Sequence, residues 1–189
     1  MVSRVHLHCG GFTLLDLLVV VVIAAIVMLI GVPSLQAITQ NARIVTTSNE
    51  VLRALHLARS EAVKRATFVT ICRSMDQQQC STDNNREWEH GWIIFVDPDR
   101  SGKVDQDAEV IRVSGSVTSG VTVRSGGNYA QYLSFGALGG PRGNTGLPND
   151  TFRVCDDRGG SHARAVVVNI VGRARVTDGQ GQTITCPNA

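Results

Sequence analysis

The chain has 189 residues, of which 43% are hydrophobic and 18% are charged, and its formal net charge is +2. This composition is ordinary for a globular protein with one apolar helix, and removal of a membrane segment leaves about 150 residues, enough for one domain. The small net charge excludes any conclusion about partners from overall charge alone.

Charge is distributed unevenly along the chain. Residues 74–109 contain nine acids and three bases, a balance of −6, whereas residues 110–189 contain four acids and eight bases, a balance of +4. All eight of these bases are arginine, whose planar guanidinium suits bidentate contact with phosphate. An arginine bias that reflects only a GC-rich genome is the alternative explanation.

A membrane-length apolar segment lies near the start of the chain. Residues 17–32 have no charged or strongly polar side chain, and residues 12–15 extend the segment towards the ~20 residues that span a bilayer. Asp16 interrupts it, and a charge at mid-bilayer costs roughly 2.5–3.5 kcal/mol, so we expect a function for this carboxylate. The apolar segment follows Gly11, so cleavage there would leave it in the mature protein, unlike a secretory signal peptide. An ordinary signal anchor is the alternative.

The sequence Gly11-Phe12-Thr13-Leu14-Leu15-Asp16-Leu17-Leu18 resembles the class III signal of type IV pilins and pseudopilins. In that family a prepilin peptidase cuts after the glycine, and the new amino-terminal residue is N-methylated. The resemblance implies that residues 1–11 are a leader peptide and that cleavage between Gly11 and Phe12 makes Phe12 the first mature residue. Asp16 then stands at mature position five, where the family nearly always has Glu. Its carboxylate is expected to meet a terminal amine during fibre assembly.

One long helix is predicted from about Phe12 to Arg65. Its first part, residues 12–33, is the membrane or fibre-core segment, and Pro33 is expected to loosen or kink the helix because proline removes an amide donor. The second part, residues 34–66, is amphipathic and is predicted to pack on a core, with its basic side chains, Arg59 among them, mostly off the apolar stripe. The predicted stripe contains Ile38, Ala42, Val45, Leu52, Leu55, Ala58, Ala62 and Ala66, interrupted by Asn49.

The remaining residues, 67–189, are predicted to form a globular β domain. Short β-branched runs separated by Gly, Asp and Ser clusters are typical of antiparallel sheets. The glycine-rich segment Gly136 to Asn149 is predicted to be a long, mobile loop. The predicted strands are 68–72, 92–96, 110–113, 121–124, 132–135, 151–155, 165–170 and 174–176.

Four cysteines follow the apolar segment, and none of them has the C-x-x-C spacing of a zinc or thioredoxin site. An even number of cysteines in an exported segment predicts two disulfides. Pairing of nearest neighbours gives Cys72–Cys80 and Cys155–Cys186, and the other two connectivities stay open at this level.

Two further motifs extend the resemblance beyond the signal. The stretch Trp88 to Asp97 is similar to the W-x-x-G-W-x-x-F-x-D sequence of the GspH/FimT branch of pseudopilins, and Gly172-Arg173-Ala174-Arg175 resembles the GRxR motif of FimT minor pilins. The resemblance implies an α+β fold in which the long amino-terminal helix packs on an antiparallel, β-sandwich-like domain. The GRxR motif of that family has been linked to DNA binding during natural transformation.

Arg173 and Arg175 are the predicted centre of a DNA-binding site. Residues two apart in a strand or tight hairpin project to one side, so both guanidinium groups are expected to face one surface and to bind successive phosphates without reading bases. A solvated hairpin is the alternative. With so few aromatic residues, base stacking on single strands is poorly supported, so the predicted partner is duplex DNA bound weakly, independently of sequence and with strong salt dependence. Gly172 belongs to the same motif, and the wider predicted patch adds Arg142, Arg153, Arg158 and Arg164.

The other polar clusters are not predicted to have a catalytic or metal-binding role. Asp97-Pro98-Asp99-Arg100-Ser101-Gly102 is predicted to be a turn between strands; a calcium loop is the alternative, but its twelfth position, counted from Asp97, is Ala108 instead of a glutamate. His162 lies near Ser161 and Asp157 in sequence without the G-x-S-x-G elbow of a hydrolase. No cofactor, metal site or enzyme activity is predicted.

Two functions follow from these motifs. The first is a FimT-like minor pilin, held in the inner membrane before assembly with its domain in the periplasm, that binds DNA at the pilus and supports its uptake. The second is a purely structural subunit, either a GspH-like pseudopilin of a type II secretion system or a minor pilin that primes fibre assembly. Both require other pilin subunits and a prepilin peptidase as partners.

Overall fold

The computed structural model of the protein describes residues 14–83, 85, 87–105, 109–179 and 184–186. Contacts divide the chain into two compact units, Met1–Thr39 and Gln40–Ala189. The second unit therefore contains part of the long helix as well as all the strands, and the boundaries predicted at residues 33 and 66 stay predictions. The processing residues Gly11 and Phe12 lie outside the described residues, whereas Asp16 lies in the first helical turn and is exposed.

Helix α1 runs without interruption over Leu14–Arg65, which confirms the described part of the predicted helix. Pro33 lies inside it, so the helix continues through the proline. One 18-residue window of α1 has a mean hydropathy of 3.1, and none of that window is buried, so this helix is long and apolar enough to cross a membrane. The helix ends at Arg65 because Ala66 adopts a left-handed conformation with φ 52° and the Thr67 amide bonds back to the Ala62 carbonyl oxygen.

The buried stripe of α1 differs from the predicted one. The prediction is confirmed for Leu55, Ala58 and Ala62 but is wrong for Ala42 and Ala66, which are exposed. The buried face is hard to recognise in the sequence because it includes two hydroxyl residues, Thr47 and Ser48. The Oγ of Ser48 donates to the Ile44 carbonyl oxygen at 2.7 Å inside the same helix. Ile38 is also exposed, and the buried residues are Ile44, Thr47, Ser48, Val51, Ala54, Leu55, Ala58 and Ala62.

Two antiparallel sheets form the β domain in the described part of the chain. The five-stranded sheet has the order β3-β2-β1-β5-β6, and the four-stranded sheet has the order β4-β7-β8-β9. All the predicted strands are present, with ends that move by at most two residues. The strands are β1 (Val69–Arg73), β2 (Trp92–Val96), β3 (Val110–Ser114), β4 (Thr122–Arg124), β5 (Tyr132–Phe135), β6 (Pro141–Gly143), β7 (Asp150–Cys155), β8 (Arg164–Val168) and β9 (Ala174–Asp178), with a short 3₁₀ helix at Trp88–His90.

The main core lies where one face of each sheet packs with the buried stripe of α1. Alternation along the strands explains which side chains enter it, because residues two apart share a face. The five-stranded sheet contributes Ile71 and Leu133, and the four-stranded sheet contributes Phe152 and Val166, all fully buried in one cluster with Leu55. This arrangement confirms the predicted α+β fold.

The segment Gly136 to Asn149, predicted to be a long loop, contains the short strand β6. Pro141–Gly143 pairs with β5, with Ser134 opposite Arg142 and Phe135 opposite Pro141. The prediction failed because three residues with Pro and Gly at their ends have no strand propensity of their own, and only the edge of β5 supplies a partner.

Both disulfides pair nearest neighbours. Cys72 bonds to Cys80, and Cys155 bonds to Cys186, as the simplest pairing predicts. The second bridge holds residues 184–186 on the four-stranded sheet, where Ile184 packs with Ala163 and Ala165.

The W-x-x-G-W-x-x-F-x-D stretch has a structural role. The Nε1 of Trp88 donates to the Tyr129 carbonyl oxygen at 3.0 Å, and its ring meets Phe152 edge-on at a centroid distance of 5.0 Å. Asp97, at the end of the stretch, is buried and accepts hydrogen bonds from the Ser101 amide at 3.0 Å and the Gly102 amide at 3.1 Å. These bonds close the predicted turn between strands.

Candidate nucleic-acid interface

The predicted site lies at the β8–β9 hairpin, whose loop is the three-residue segment 170–172. The Gly172 amide donates to the Asn169 carbonyl oxygen at 2.9 Å, and Gly172 has φ 78°. A turn whose fourth residue is a left-handed glycine forms a common three-residue hairpin loop. This conformation explains why the motif has glycine at position 172. The Asn169 Oδ1 also accepts hydrogen bonds from the Arg173 amide at 2.8 Å and the Val171 amide at 3.2 Å.

Arg59 of α1 fixes this hairpin to the neighbouring β5–β6 hairpin. Its Nη2 donates to the Val171 carbonyl oxygen at 3.1 Å, and its Nε donates to the Gly139 carbonyl oxygen at 3.1 Å. A Cβ atom on Gly172 would collide with the same Gly139 carbonyl oxygen. Gly172 therefore serves packing and turn geometry.

Arg173 and Arg175 are both exposed, and the residue between them, Ala174, is buried. This alternation places the two arginines on the outer face of the four-stranded sheet, as predicted from their spacing. Arg153 on β7 belongs to the same face, since Phe152 and Val154 on either side of it enter the core. Two strand spacings of ~4.8 Å separate β9 from β7, and the register places Arg153 in line with Thr177, two residues along β9 from Arg175. The backbone positions of Arg153 and Arg175 are therefore roughly 12 Å apart. We call Arg153, Arg173 and Arg175 the arginine face.

Within the described residues, the surroundings of the arginine face leave its charge uncompensated. Arg153, Arg173 and Arg175 make no ion pair with any residue that the structure describes. The carboxy-terminal residues 184–186 cover part of this face, where Ile184 and Cys186 pack with Cys155, Ala165 and Val167. The other outward side chains of β7, β8 and β9 carry no negative charge: Thr151, Cys155, Ala165, Val167 and Thr177.

The other predicted arginines do not join this face. Arg158 is paired with Asp156 at 2.7 Å and donates to the Asn41 Oδ1 at 2.8 Å, so it ties a loop to α1. Arg164 begins β8 opposite Asp178, in phase with the core residues Val166 and Val168, and thus points to the other side of the sheet. Arg142 lies on β6 in the other sheet. Sequence spacing could not separate these cases because it does not show which strands are neighbours.

A family model described as "Type II transport protein GspH" matches residues 47–172, which is more than half of the chain. The chain belongs to the GspH family. The match includes the W-x-x-G-W stretch and ends at Gly172, just before the two arginines. A search of curated proteins found no match.

The fold of this GspH-family protein is similar to that of solved minor pilins. Two crystal structures of the type IV minor pilin FimU from Pseudomonas aeruginosa match with TM-scores of 0.57 and 0.60 and sequence identities of 21% and 20%. They cover 75% and 79% of this chain and 98% and 99% of the FimU chains. At this identity the similarity establishes the pilin fold. The chain therefore has a type IV pilin-like fold, and its long apolar helix fits a membrane-anchored protein of that fold.

In two other clusters of polar side chains, the groups are bonded to or paired with other residues of the same chain. Ser161 Oγ and His162 Nδ1 are 3.1 Å apart, but the Asp157 Oδ1 accepts a hydrogen bond from Gln40 Nε2 at 3.4 Å, so the structure gives no link from this aspartate to the histidine within the described residues. Glu87, Glu89 and His90 lie close enough to hold a cation. Arg124 contacts the carboxylates of both Glu87 and Glu89, which offsets part of their charge.

Sequence reasoning missed Arg59, the residue that supports the site. The sequence pattern placed it only off the apolar stripe of α1. In the folded protein it bonds to two backbone carbonyls that lie 80 and 112 residues away along the chain. No local sequence pattern predicts a hydrogen-bond partner so far away along the chain.

Proposed function

We propose that this protein is a FimT-like minor type IV pilin that binds duplex DNA through the arginine face and supports DNA uptake in natural transformation. The observation that carries the proposal is the exposure of Arg173 and Arg175 on one face, with Arg153 on the same face and no carboxylate paired with any of them in the described structure. Guanidinium groups so placed suit bidentate contact with phosphate oxygens. No aromatic residue of the described chain lies on the outward side of β7, β8 or β9, which favours backbone contact over base stacking.

The proposed binding mode has a measurable electrostatic signature. Each phosphate neutralised by an arginine releases condensed counterions, so affinity falls linearly with salt on logarithmic axes, with a slope of about −0.9 per contact on B-DNA. Binding through three arginines is weak and independent of sequence, because phosphate contacts carry no sequence information.

An electrophoretic shift experiment at two salt concentrations tests the proposal. The full chain, solubilised in a non-ionic detergent, is mixed with a labelled duplex. The double variant Arg173→Gln, Arg175→Gln should bind roughly tenfold more weakly, and its salt slope should be shallower by about 1.8. The matched control is Arg142→Gln, since Arg142 is also exposed but lies on the other sheet. Equal affinities for the double variant and the wild type would refute the site.

The amino-terminal residues are proposed to place the protein in the fibre. A prepilin peptidase would cleave between Gly11 and Phe12 at the inner membrane, Phe12 would be N-methylated, and Asp16 would meet the terminal amine of another subunit, with the domain in the periplasm. Mass spectrometry of the mature chain tests the first two steps. A mature amino terminus other than methylated Phe12 would refute them.

A second candidate is a structural subunit without DNA binding, either a GspH-like pseudopilin of a type II secretion system or a minor pilin that primes fibre assembly. The family match described as a type II transport protein favours it. Deletion of the gene distinguishes the two functions. Loss of secretion or piliation with normal DNA uptake would favour the structural subunit, whereas loss of uptake with intact fibres would favour DNA binding.

A further inference from the structure

The corner of the β8–β9 hairpin is apolar and exposed. Ile170 and Val171 occupy the two central positions of the turn, and 66% and 58% of their respective surfaces are exposed. Turns of this kind favour Asn, Asp, Gly, Pro and Ser, because these residues suit the backbone conformation or bond to it. Two β-branched aliphatic residues here contribute nothing to the turn and leave apolar surface in water. Neither residue belongs to the main core.

The same corner is held rigidly by polar contacts behind it. The Asn169 Oδ1 accepts the Val171 amide, and Arg59 donates to the Val171 carbonyl oxygen. The backbone of the corner is therefore fixed before any ligand arrives, and binding costs little further conformational entropy. A rigid apolar corner is suited to insertion into a narrow space.

Positive charge adjoins the corner. Arg173 follows it by two residues and Arg175 by four, and both are exposed without an ion pair in the described residues. An apolar tip with arginines directly behind it is the arrangement that proteins use when they enter the minor groove of DNA, where an aliphatic side chain wedges between base steps while cations bind the flanking phosphates. The groove is about 6 Å wide, which admits a two-residue corner but excludes a helix.

We propose that Ile170 and Val171 enter the minor groove of duplex DNA and partly unstack a base step, while Arg173 and Arg175 bind the phosphates beside it. The inference rests on the proposed function and adds the groove and the deformation of the DNA to it. Insertion of this kind bends the duplex away from the wedge, by about 20–90° in known cases. Insertion favours flexible pyrimidine–purine steps, such as TA, because they are easily unstacked, and no base edge is recognised.

The test measures affinity and bending separately. A duplex of about 30 base pairs with a central TA step carries a donor and an acceptor dye at its two ends, so bending raises energy transfer. The full chain in non-ionic detergent is titrated at two salt concentrations. The variant Ile170→Ser, Val171→Ser removes the wedge, Leu138→Ser changes a side chain that is 97% exposed on the neighbouring hairpin, and Ile170→Leu, Val171→Leu restores an aliphatic corner.

The expected results differ between the wedge and the arginines. Wild type raises energy transfer at saturation; the serine variant binds roughly tenfold more weakly, with an unchanged salt slope and no rise in energy transfer. The leucine variant recovers both properties, and Leu138→Ser behaves as wild type. Arg173→Gln makes the salt slope shallower but still bends the DNA at saturation. Thermal unfolding of each variant confirms that the hairpin substitutions leave the fold intact, as their exposure predicts.

Each other outcome overturns one proposal or both. No DNA binding by the wild type overturns the proposed function and the wedge together. DNA binding that depends on Arg173 and Arg175, with affinity and energy transfer unchanged in the serine variant, overturns the wedge alone. Normal DNA binding by the serine variant combined with loss of fibre assembly in cells would assign the corner to a protein partner, and it too would overturn the wedge.

Discussion

The Nη2 of Arg59 on α1 lies 3.1 Å from the carbonyl oxygen of Val171 at the corner of the β8–β9 hairpin. The same guanidinium donates to Gly139 on the β5–β6 hairpin. One side chain thus connects the helix to a hairpin of each sheet, directly behind the arginine face. Arg59 is a positioning residue, and substitution should affect the hairpin before it affects the fold.

We expect Arg59→Leu to destabilise the domain by about 1–3 kcal/mol, because two backbone carbonyls lose their partner. Amide hydrogen exchange of Val171 and Gly172 should accelerate, whereas that of Ile71 in the centre of β1 should change less. Arg59→Lys, which keeps the charge but not the planar fork, should recover only part of the protection. Equal exchange at the hairpin in wild type and Arg59→Leu would contradict this role.

Gly172→Ala should be more harmful than an alanine at another left-handed glycine. Gly172 has φ 78° and its added Cβ would meet the Gly139 carbonyl oxygen, so both backbone strain and a steric clash apply. Gly146 has φ 86° with no atom within 4 Å of an added Cβ, so Gly146→Ala reports the backbone strain alone, about 1–3 kcal/mol. Urea unfolding of both variants measures the difference. A Gly172→Ala variant no less stable than Gly146→Ala would show that the hairpin moves freely away from Gly139.

Replacement of each of the two tryptophans by phenylalanine should change the free energy of unfolding by different amounts. Trp88 donates its Nε1 to the Tyr129 carbonyl oxygen, and Trp88→Phe leaves that buried acceptor without this bond. Trp92 is also buried, but its Nε1 has no partner among the described residues, so Trp92→Phe removes a polar group that costs free energy where it lies. Trp88→Phe should therefore lower the free energy of unfolding more, by about 1–2 kcal/mol. Equal losses in chemical denaturation would contradict the assigned hydrogen bonding.

Arg65 at the end of α1 should lower the pKa of two carboxylates. Its hydrogen bonds to Glu109, at 2.7 and 2.9 Å, and to Glu61, at 2.7 Å, hold the pKa of each carboxylate below its ordinary value. Because these pKa values are lower in the folded state, the stabilisation is present above the ordinary pKa and is lost as the pH falls through the folded-state pKa.

NMR titration of the glutamate carboxyl carbons measures this effect. Arg65→Gln should raise the pKa of both Glu61 and Glu109 towards the ordinary value. Lys64→Gln is the matched control, since Lys64 lies 3.6 Å from Glu61 and makes only a lesser contribution to its pKa. It should raise the pKa of Glu61 slightly and leave Glu109 unchanged. An unchanged Glu109 pKa in Arg65→Gln would contradict the ion pair.

Local sequence chemistry was sufficient to predict α1 and all the strands except β6. Strands such as Trp92–Val96 and Tyr132–Phe135 were predicted with their observed ends, because β-branched and aromatic runs between turn residues carry the signal within five residues. Order along the chain gave the observed cysteine pairs as the simplest of three connectivities, and the structure decided between them. The strand β6 was missed for the opposite reason, since Pro141–Gly143 is a strand only by virtue of its neighbour β5.

The candidate site was predicted only in part. The spacing of Arg173 and Arg175 was enough to place them on one side of a strand. The sequence could not show that Arg158 is paired with Asp156 or that Arg142 lies in the other sheet, away from these two residues. Such facts depend on which distant residues become neighbours, and charge along a sequence does not contain that information.

The sequence by itself determined the apolar helix, the strands and the adjacent arginines, because each depends on side chains a few residues apart. Tertiary structure decided that Arg153 joins Arg173 and Arg175, that Arg164 does not, and that Arg59 holds the hairpin behind them. It also left Ile170 and Val171 exposed at the corner of that hairpin. Strand order and long-range packing determine these relationships, and they arise only when segments far apart in the chain bury their apolar faces together.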